Sequence, residues 1–211
     1  LVSLPVPTML LITDRTRVRV SLEVVLARAF QGGCRWVMVR EKDIDSGERM
    51  TLVESILRIA EPYDAKILVN SDINAAKIAH GVHLPQGQSC RNARATLGPD
   101  KLIGVSAHTI GEVGAAASAG ADYATISPVF PTQSKPGYGP PLYLDGLQKV
   151  VKRVTIPLIA LGGITAATVL SCRRAGVAGV AVMGTVMSAG DPAVPVYDIL
   201  KQWNAGDEND A

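Results

Sequence analysis

Trp36-Val-Met-Val-Arg-Glu-Lys42, Ser46-Gly-Glu-Arg-Met-Thr-Leu-Val-Glu-Ser-Ile-Leu-Arg-Ile-Ala60 and Lys66-Ile-Leu-Val-Asn70 read in succession as strand, helix and strand. The two short runs are apolar without alternation, as strands are when both faces are buried in a parallel sheet covered by helices. Between them, Met50, Val53, Ile56 and Leu57 recur at helical spacing on one face. The pattern extends outward in both directions. Upstream stand a strand run at Met9–Thr13 and a helical stretch at Leu22–Gln31, with Ser21 as its N-cap. Downstream, the runs Gly81–Leu84, Ile103–Ser106, Tyr123–Ser127, Leu158–Leu161 and Gly179–Met183 alternate with helical stretches. Those stretches are Ile73–Ala79, Asn92–Leu97, Ile110–Ala119, Leu144–Val151, Ala166–Arg174 and Pro192–Trp203, and several end at a C-cap glycine, as at Gly98 and Gly176.

Eight such units have two common solutions, an open doubly wound sheet or a closed barrel. The units are of near-equal length, roughly 25 residues each, no strand reads as a polar edge, and no GxGxxG follows the first run. The sequence therefore predicts an α/β fold: one (β/α)8 TIM barrel over residues 1–203, with the small acidic stretch 204–211 as a frayed tail.

Composition narrows the function classes. The 211 residues are 47% apolar and 19% charged, within the range of folded globular chains. A net charge of +2, no basic run and 4% aromatics give no footprint for nucleic acid. Cys34, Cys90 and Cys172 are far apart and odd in number, which predicts neither a disulfide framework nor a cysteine metal site and makes the cytoplasm the default compartment. Leu1–Leu11 is broken by Pro5 and Pro7, and no apolar run is long enough for a bilayer, so no membrane partner is expected. Apolar residues on the outer helices leave room for a homodimer.

In a barrel of this type the site lies at the C-terminal ends of the strands. Arg40 and Lys42 end the second run, a planar fork and a point charge suited to a phosphate or diphosphate; the alternative is a surface ion pair with Glu41 or Asp43. Asn70 follows the third run and suits a ring nitrogen or a phosphate. Asp72 either holds Mg2+ or caps the next helix. Ser106 and His108 end the fifth run, and a histidine there can move a proton near neutral pH. His80 is expected near a helix end, where a cation is favoured, and His83 packed or inside the barrel mouth. Thr132, Ser134 and Lys135 furnish a long loop with hydroxyls and a cation, and long loops in compact domains tend to be functional. Gly162 and Gly163, with Gly184 and Thr185, end the last two runs, where backbone amides often receive phosphate. Two cationic clusters and two glycine loops at one rim suit more than one phosphate-bearing group.

Leu11-Ile-Thr-Asp14, Val39-Arg-Glu-Lys-Asp43, Gly81-Val-His-Leu84, Ile103-Gly-Val-Ser-Ala-His-Thr109, Gly120-Ala-Asp-Tyr123, Ser127-Pro-Val-Phe-Pro-Thr-Gln-Ser-Lys135 and Ala160-Leu-Gly-Gly-Ile164 stand in an order that resembles the thiamin phosphate synthase/TenI superfamily. The resemblance implies a barrel in thiamin biosynthesis that binds small phosphorylated heterocycles: thiazole phosphate and, in a synthase, pyrimidine diphosphate. Synthases join the two and release pyrophosphate. By matching motif, Arg40 and Lys42 would hold the diphosphate, Asn70 would face the pyrimidine, and Ser106, Thr132, Ser134 and Lys135 would hold the leaving pyrophosphate. Gly163 and the Gly184-Thr185 turn would receive the thiazole phosphate.

Synthases of this family also carry two aspartates that hold Mg2+, where this chain has Ser71 and Gln88; Asp72 is the remaining candidate if the chain is a synthase. Leu84-Pro-Gln-Gly87 resembles the TenI branch, whose activity is a thiazole tautomerase that needs no metal. The resemblance thus favours a tautomerase with His108 as general acid/base and no cofactor. The alternatives are a Mg2+-dependent thiamin phosphate synthase and a non-catalytic regulatory barrel that binds phosphate ligands.

Overall fold

The computed structural model describes residues 2–132, 137 and 139–205. Eight strands, β1 (Met9–Ile12), β2 (Trp36–Val39), β3 (Lys66–Asn70), β4 (Gly81–Leu84), β5 (Leu102–Ala107), β6 (Tyr123–Ile126), β7 (Leu158–Leu161) and β8 (Gly179–Val182), close into a barrel in chain order. Every neighbouring pair is parallel, including β1 with β8 through Leu10↔Ala181. Around them lie α1 (Leu22–Gln31), α2 (Ser46–Ala60), α3 (Ile73–Ala76), α4 (Cys90–Leu97), α5 (Ile110–Ser118), α6 (Tyr143–Val151), α7 (Val169–Arg174), α8 (Gly184–Met187) and α9 (Ala193–Asn204). The predicted (β/α)8 barrel is the observed fold.

Two elements differ from the sequence reading. The helix expected at Ile73–Ala79 ends as α-helix at Ala76, because the backbone of His80 is already committed to Ile67 near the start of β3. After β8 the chain makes the short α8 before α9, and four residues are too few to carry a helical period.

Both faces of the strands are buried, which is why the runs read as continuous. Met9, Leu11, Val37, Val39, Ile67 and Val69 pack outward under the helices. Their alternates, Leu10, Ile12, Trp36, Met38, Leu68 and Tyr123, fill the barrel interior. The Tyr123 ring meets Trp36 edge-on at 4.9 Å and takes the space that a side chain on β5 would occupy: a Cβ at Gly104 would stand 2.1 Å from its Cζ. The Nε1–H of Trp36 is the one buried side-chain donor without a partner among the described residues.

Helix entry follows local rules. Ser21 caps α1, and Asp45 with Glu48 forms a reciprocal capping box on α2. Asp122, ahead of β6, accepts from the Ile103 amide and pairs with Arg94 of α4 at 2.6 Å, fastening a helix to two strands. Of the large apolar side chains left exposed, Val24 lies on α1 and Val194 and Tyr197 on α9.

Gly104→Ala is expected to displace the Tyr123 ring and to destabilise the fold by about 1–3 kcal/mol, the usual cost of overpacking. Thermal unfolding of the variant checks this; an unchanged melting temperature would mean that the interior gives way without cost.

Candidate active site

The C-terminal ends of the strands ring a single cavity of about 890 Å3. Every site residue expected from the sequence that lies among the described residues, Asp72 apart, lines it: Arg40, Lys42, Asn70, Ser106, His108, Thr132, Gly162, Gly163, Gly184 and Thr185. Ser134 and Lys135 lie outside the described residues. Asp72 faces an adjoining depression instead.

One wall comes from the ends of β1 and β2. Thr13 is buried; its Oγ1 accepts from the Arg40 amide at 2.9 Å and donates to Glu41 Oε1 at 2.5 Å. The other oxygen of Glu41 accepts from the Arg15 amide at 3.0 Å. Asp43 is taken by Arg15 at 2.7 Å. The two carboxylates that the sequence offers as partners for Arg40 and Lys42 are thus turned elsewhere, and neither cation has a carboxylate partner among the described residues. Arg17, from the 3-10 turn Arg15–Arg17, adds a third cation to the same wall and is held by Asp14 at 3.0 Å.

The opposite wall is backbone. Gly162 and Gly163 adopt φ of +101° and +67°, which L side chains rarely adopt. A Cβ at Gly163 would also stand 2.7 Å from Pro131 O, because the loops after β6 and β7 are laced together by Val129 N to Leu161 O and Phe130 N to Gly162 O. Thr185 Oγ1 donates to Ile164 O at 3.0 Å and joins this loop to α8. The first-turn amides of α8, at Gly184 and Thr185, have no intrahelical acceptor and border the cavity.

His108 stands on the rim between these walls. Its backbone amide and its Nδ1 both meet Glu112 Oε2, at 2.7 and 3.0 Å. A carboxylate beside Nδ1 favours the hydrogen on that nitrogen and orients the ring. On the floor, His83 bridges Tyr123 Oη (2.9 Å) and Ser106 Oγ (3.0 Å). Burial first, then the charge of Arg40, push the His83 pKa down to about 3, so the imidazole is neutral.

One expectation changes, and of the two readings open for Asp72 the helix cap is the one seen. His80, expected as a cation near a helix end, instead accepts from the Ile67 amide through Nδ1, and burial together with Lys66 and Lys101 lowers its pKa. Asp72 acts as the N-cap of α3, accepting from Ala75 N at 3.0 Å, Arg49 at 2.8 Å and Ser46 at 3.0 Å. Burial raises its pKa, but these hydrogen bonds outweigh that and hold it below the ordinary value. Three contributors escape a reading of the sequence alone. Glu112 is signalled by its position four residues after His108, and Arg17 by its place in the loop after the first strand. Tyr123 gives no local signal, since its partner lies 40 residues away.

The cavity fits anions and does not fit a protein-held Mg2+. No carboxylate lines it among the described residues, and residues 133–136 and 138 contribute none by residue type. The nearby Asp14, Glu41, Asp72 and Glu112 are each engaged by a cap, a hydroxyl, a guanidinium or an imidazole. A Mg2+ site normally takes at least one carboxylate from the protein. Among the described residues, no group of three or more His, Cys, Asp or Glu could hold a metal ion, and no helix is long and apolar enough to cross a membrane.

Comparison with known proteins gives a consistent result. The family described as thiamine monophosphate synthase matches residues 9–186. A protein of Geobacter sulfurreducens, provisionally named a thiamine-phosphate synthase, is 40% identical over 186 residues, covering 86% of this chain and 87% of its own. A thiamine-phosphate synthase of a Roseiflexus species is 34% identical over 185 residues, covering 86% of this chain and 78% of its own. Among solved structures, a thiamine phosphate pyrophosphorylase from Pyrococcus furiosus superposes with a TM-score of 0.83 at 29% identity, covering 94% of this chain and 96% of that one.

The neutral His83 has a consequence for acid stability. Its folded pKa of about 3 lies below the ordinary value of about 6.5, so unfolding takes up a proton between those limits and stability falls as pH falls through that window. His83→Gln, which removes the titrating ring, is expected to flatten the decline of unfolding free energy from pH 6.5 to 4 by close to one proton. Asp14 and Asp72, whose pKa values are also lowered, act only below about pH 4. An identical slope in both proteins would show that the imidazole is charged in the fold.

Proposed function

The chain belongs to the thiamine monophosphate synthase family, and on that premise we propose that it is a thiamin phosphate synthase. In this reading it joins hydroxymethylpyrimidine diphosphate to thiazole phosphate and releases pyrophosphate. The order of the two readings drawn from sequence, tautomerase first, is reversed by the names its relatives carry. The observation that carries the reading is the two-sided cavity: cations without carboxylate partners on the β2 side, glycine loops and bare amides on the β7 and β8 side, and about 890 Å3 between them. One phosphorylated ligand would use one side. Two would use both, and a cavity of this size is ample for two small heterocycles.

The chemistry follows from the wall charges. Arg40 and Lys42, with Arg17 beside them, take the pyrimidine diphosphate. Ser106, and in this reading Thr132, Ser134 and Lys135, take the terminal phosphate of that group. Asn70 faces the pyrimidine ring. The thiazole phosphate rests on the Gly162-Gly163 loop and the first turn of α8, which turns the thiazole toward the pyrimidine methylene. As the carbon–oxygen bond breaks, negative charge gathers on pyrophosphate, and fixed cations stabilise it without reorganisation. The thiazole nitrogen then captures the pyrimidine cation. With no carboxylate positioned for Mg2+, the protein's own cations supply the neutralisation in this account.

A second reading, a thiazole tautomerase, is favoured by the His108–Glu112 pair. A carboxylate that orients an imidazole is the arrangement a proton-transfer catalyst needs, and coupling two substrates by loss of pyrophosphate makes no demand on it.

Incubation with both substrates separates the readings. Thiamin phosphate and pyrophosphate appearing in equal amounts are the expected result; aromatisation of thiazole phosphate carboxylate alone, lost in His108→Asn, would replace the proposal by the tautomerase. Arg40→Ala is expected to lower coupling by about 10²-fold, the usual loss for one preorganised charge-stabilising donor. Coupling is also expected to persist in excess EDTA. Its abolition there would mean that the diphosphate brings its own metal ion.

A further inference from the structure

A chain of three hydrogen-bonding groups runs from the barrel interior to the cavity: Tyr123 Oη, the His83 ring and Ser106 Oγ. We propose that Tyr123 and His83 are positioning residues which fix the direction of this chain, so that the Ser106 hydroxyl is held as a donor toward a bound diphosphate. The inference rests on the reading above that this face of the cavity receives a diphosphate.

The direction follows from counting donors. Tyr123 is fully buried, and its hydroxyl has one partner among the described residues, His83 Nδ1 at 2.9 Å. If His83 carried its hydrogen on Nδ1 and donated to that oxygen, the phenolic hydrogen would be buried with no acceptor, a state native interiors avoid. The phenol therefore donates to Nδ1, and the hydrogen of the imidazole sits on Nε2. Burial and the charge of Arg40 keep the ring neutral, so there is only one ring hydrogen to place. Nε2–H then donates to Ser106 Oγ at 3.0 Å. With its oxygen occupied as an acceptor, Ser106 turns its own hydrogen away from His83 and into the cavity that it lines. A phosphate oxygen accepts only, so a hydroxyl whose hydrogen faces the cavity matches an anion.

The supporting geometry is specific to this arrangement. Gly104 lies on β5 two residues before Ser106, and the Tyr123 ring fills the space its side chain would take. The phenol is set at its depth by Trp36 behind it. Asp122, the neighbouring carboxylate, accepts from Ile103 N and Arg94 and is not bonded to the phenol.

The test uses the whole protein with 15N-labelled histidine and inorganic pyrophosphate as the probe. Long-range 1H–15N spectra of the wild type are expected to show His83 as the Nε2–H tautomer; an Nδ1–H tautomer overturns the inference before any variant is made. Tyr123→Phe is expected to mix the tautomers and to weaken pyrophosphate by about three- to tenfold, and Ser106→Ala by about tenfold or more, the range for one hydrogen bond to a charged acceptor. In the Ser106→Ala background, Tyr123→Phe is expected to cost nothing further. An equal loss in both backgrounds would mark Tyr123 as a packing residue only and would sink the proposal. Pyrophosphate that fails to bind the wild type would instead overturn the functional reading, leaving the hydrogen-bond direction to be judged by the tautomer alone.

Discussion

The site depends on where one carboxylate goes. Glu41 sits between Arg40 and Lys42 in the chain and would neutralise either of them at the surface. It is buried instead, held by the Thr13 hydroxyl and the Arg15 amide. That bond ties the end of β1 to the end of β2 and removes the nearest counter-ion from both cations. A buried carboxylate is costly unless its oxygens are hydrogen-bonded, and here each oxygen has a partner. Contacts within the fold offset the cost, and the result is a wall on which Arg40 and Lys42 have no carboxylate partner among the described residues.

The rest of the mouth follows the same division between scaffold and ligand. Loops after β6 and β7 satisfy one another through backbone hydrogen bonds, which obliges glycine at the contact and keeps Cβ atoms away from the cavity side. Each carboxylate near the mouth has a structural role. Asp14 closes the 3-10 turn, Asp72 caps α3, and Glu112 steadies His108. This is how a member of a synthase family presents an anion site with no carboxylate lining it among the described residues. The negative groups are present in the sequence but are committed to backbone and side-chain geometry.

Much of this was legible without coordinates. Parallel strands buried on both faces announce themselves by unbroken apolar runs, and the barrel rule then turns strand ends into candidates; Arg40, Lys42, Asn70, Ser106, Gly163 and Thr185, found in this way, line the cavity. What stays hidden depends on which way a side chain turns. Glu41 and Asp43 read as equal candidates to pair with the flanking cations, and only the three-dimensional position of Thr13 and Arg15 decides against both. The four-residue α8 is shorter than the period that would reveal it. Tyr123 reads as one more apolar residue of a buried strand, because its polar partner is distant in sequence. The His80 error comes from treating a helix end as solvent, when the half-buried ring accepts from Ile67 of the preceding strand β3.

A mouth that grips through charge has an outcome for turnover in the cell. In the proposed function Arg17, Arg40 and Lys42 would recognise density of negative charge more than molecular identity, so any polyanion of suitable size would compete for them. Pyrophosphate, the leaving group in the proposed reaction, would carry at least as much charge as the group it came from and would be stripped of the heterocycle that made the substrate distinguishable. A catalyst of that reaction with this architecture would therefore lean on whatever hydrolyses pyrophosphate nearby, and would slow down whenever that disposal lags.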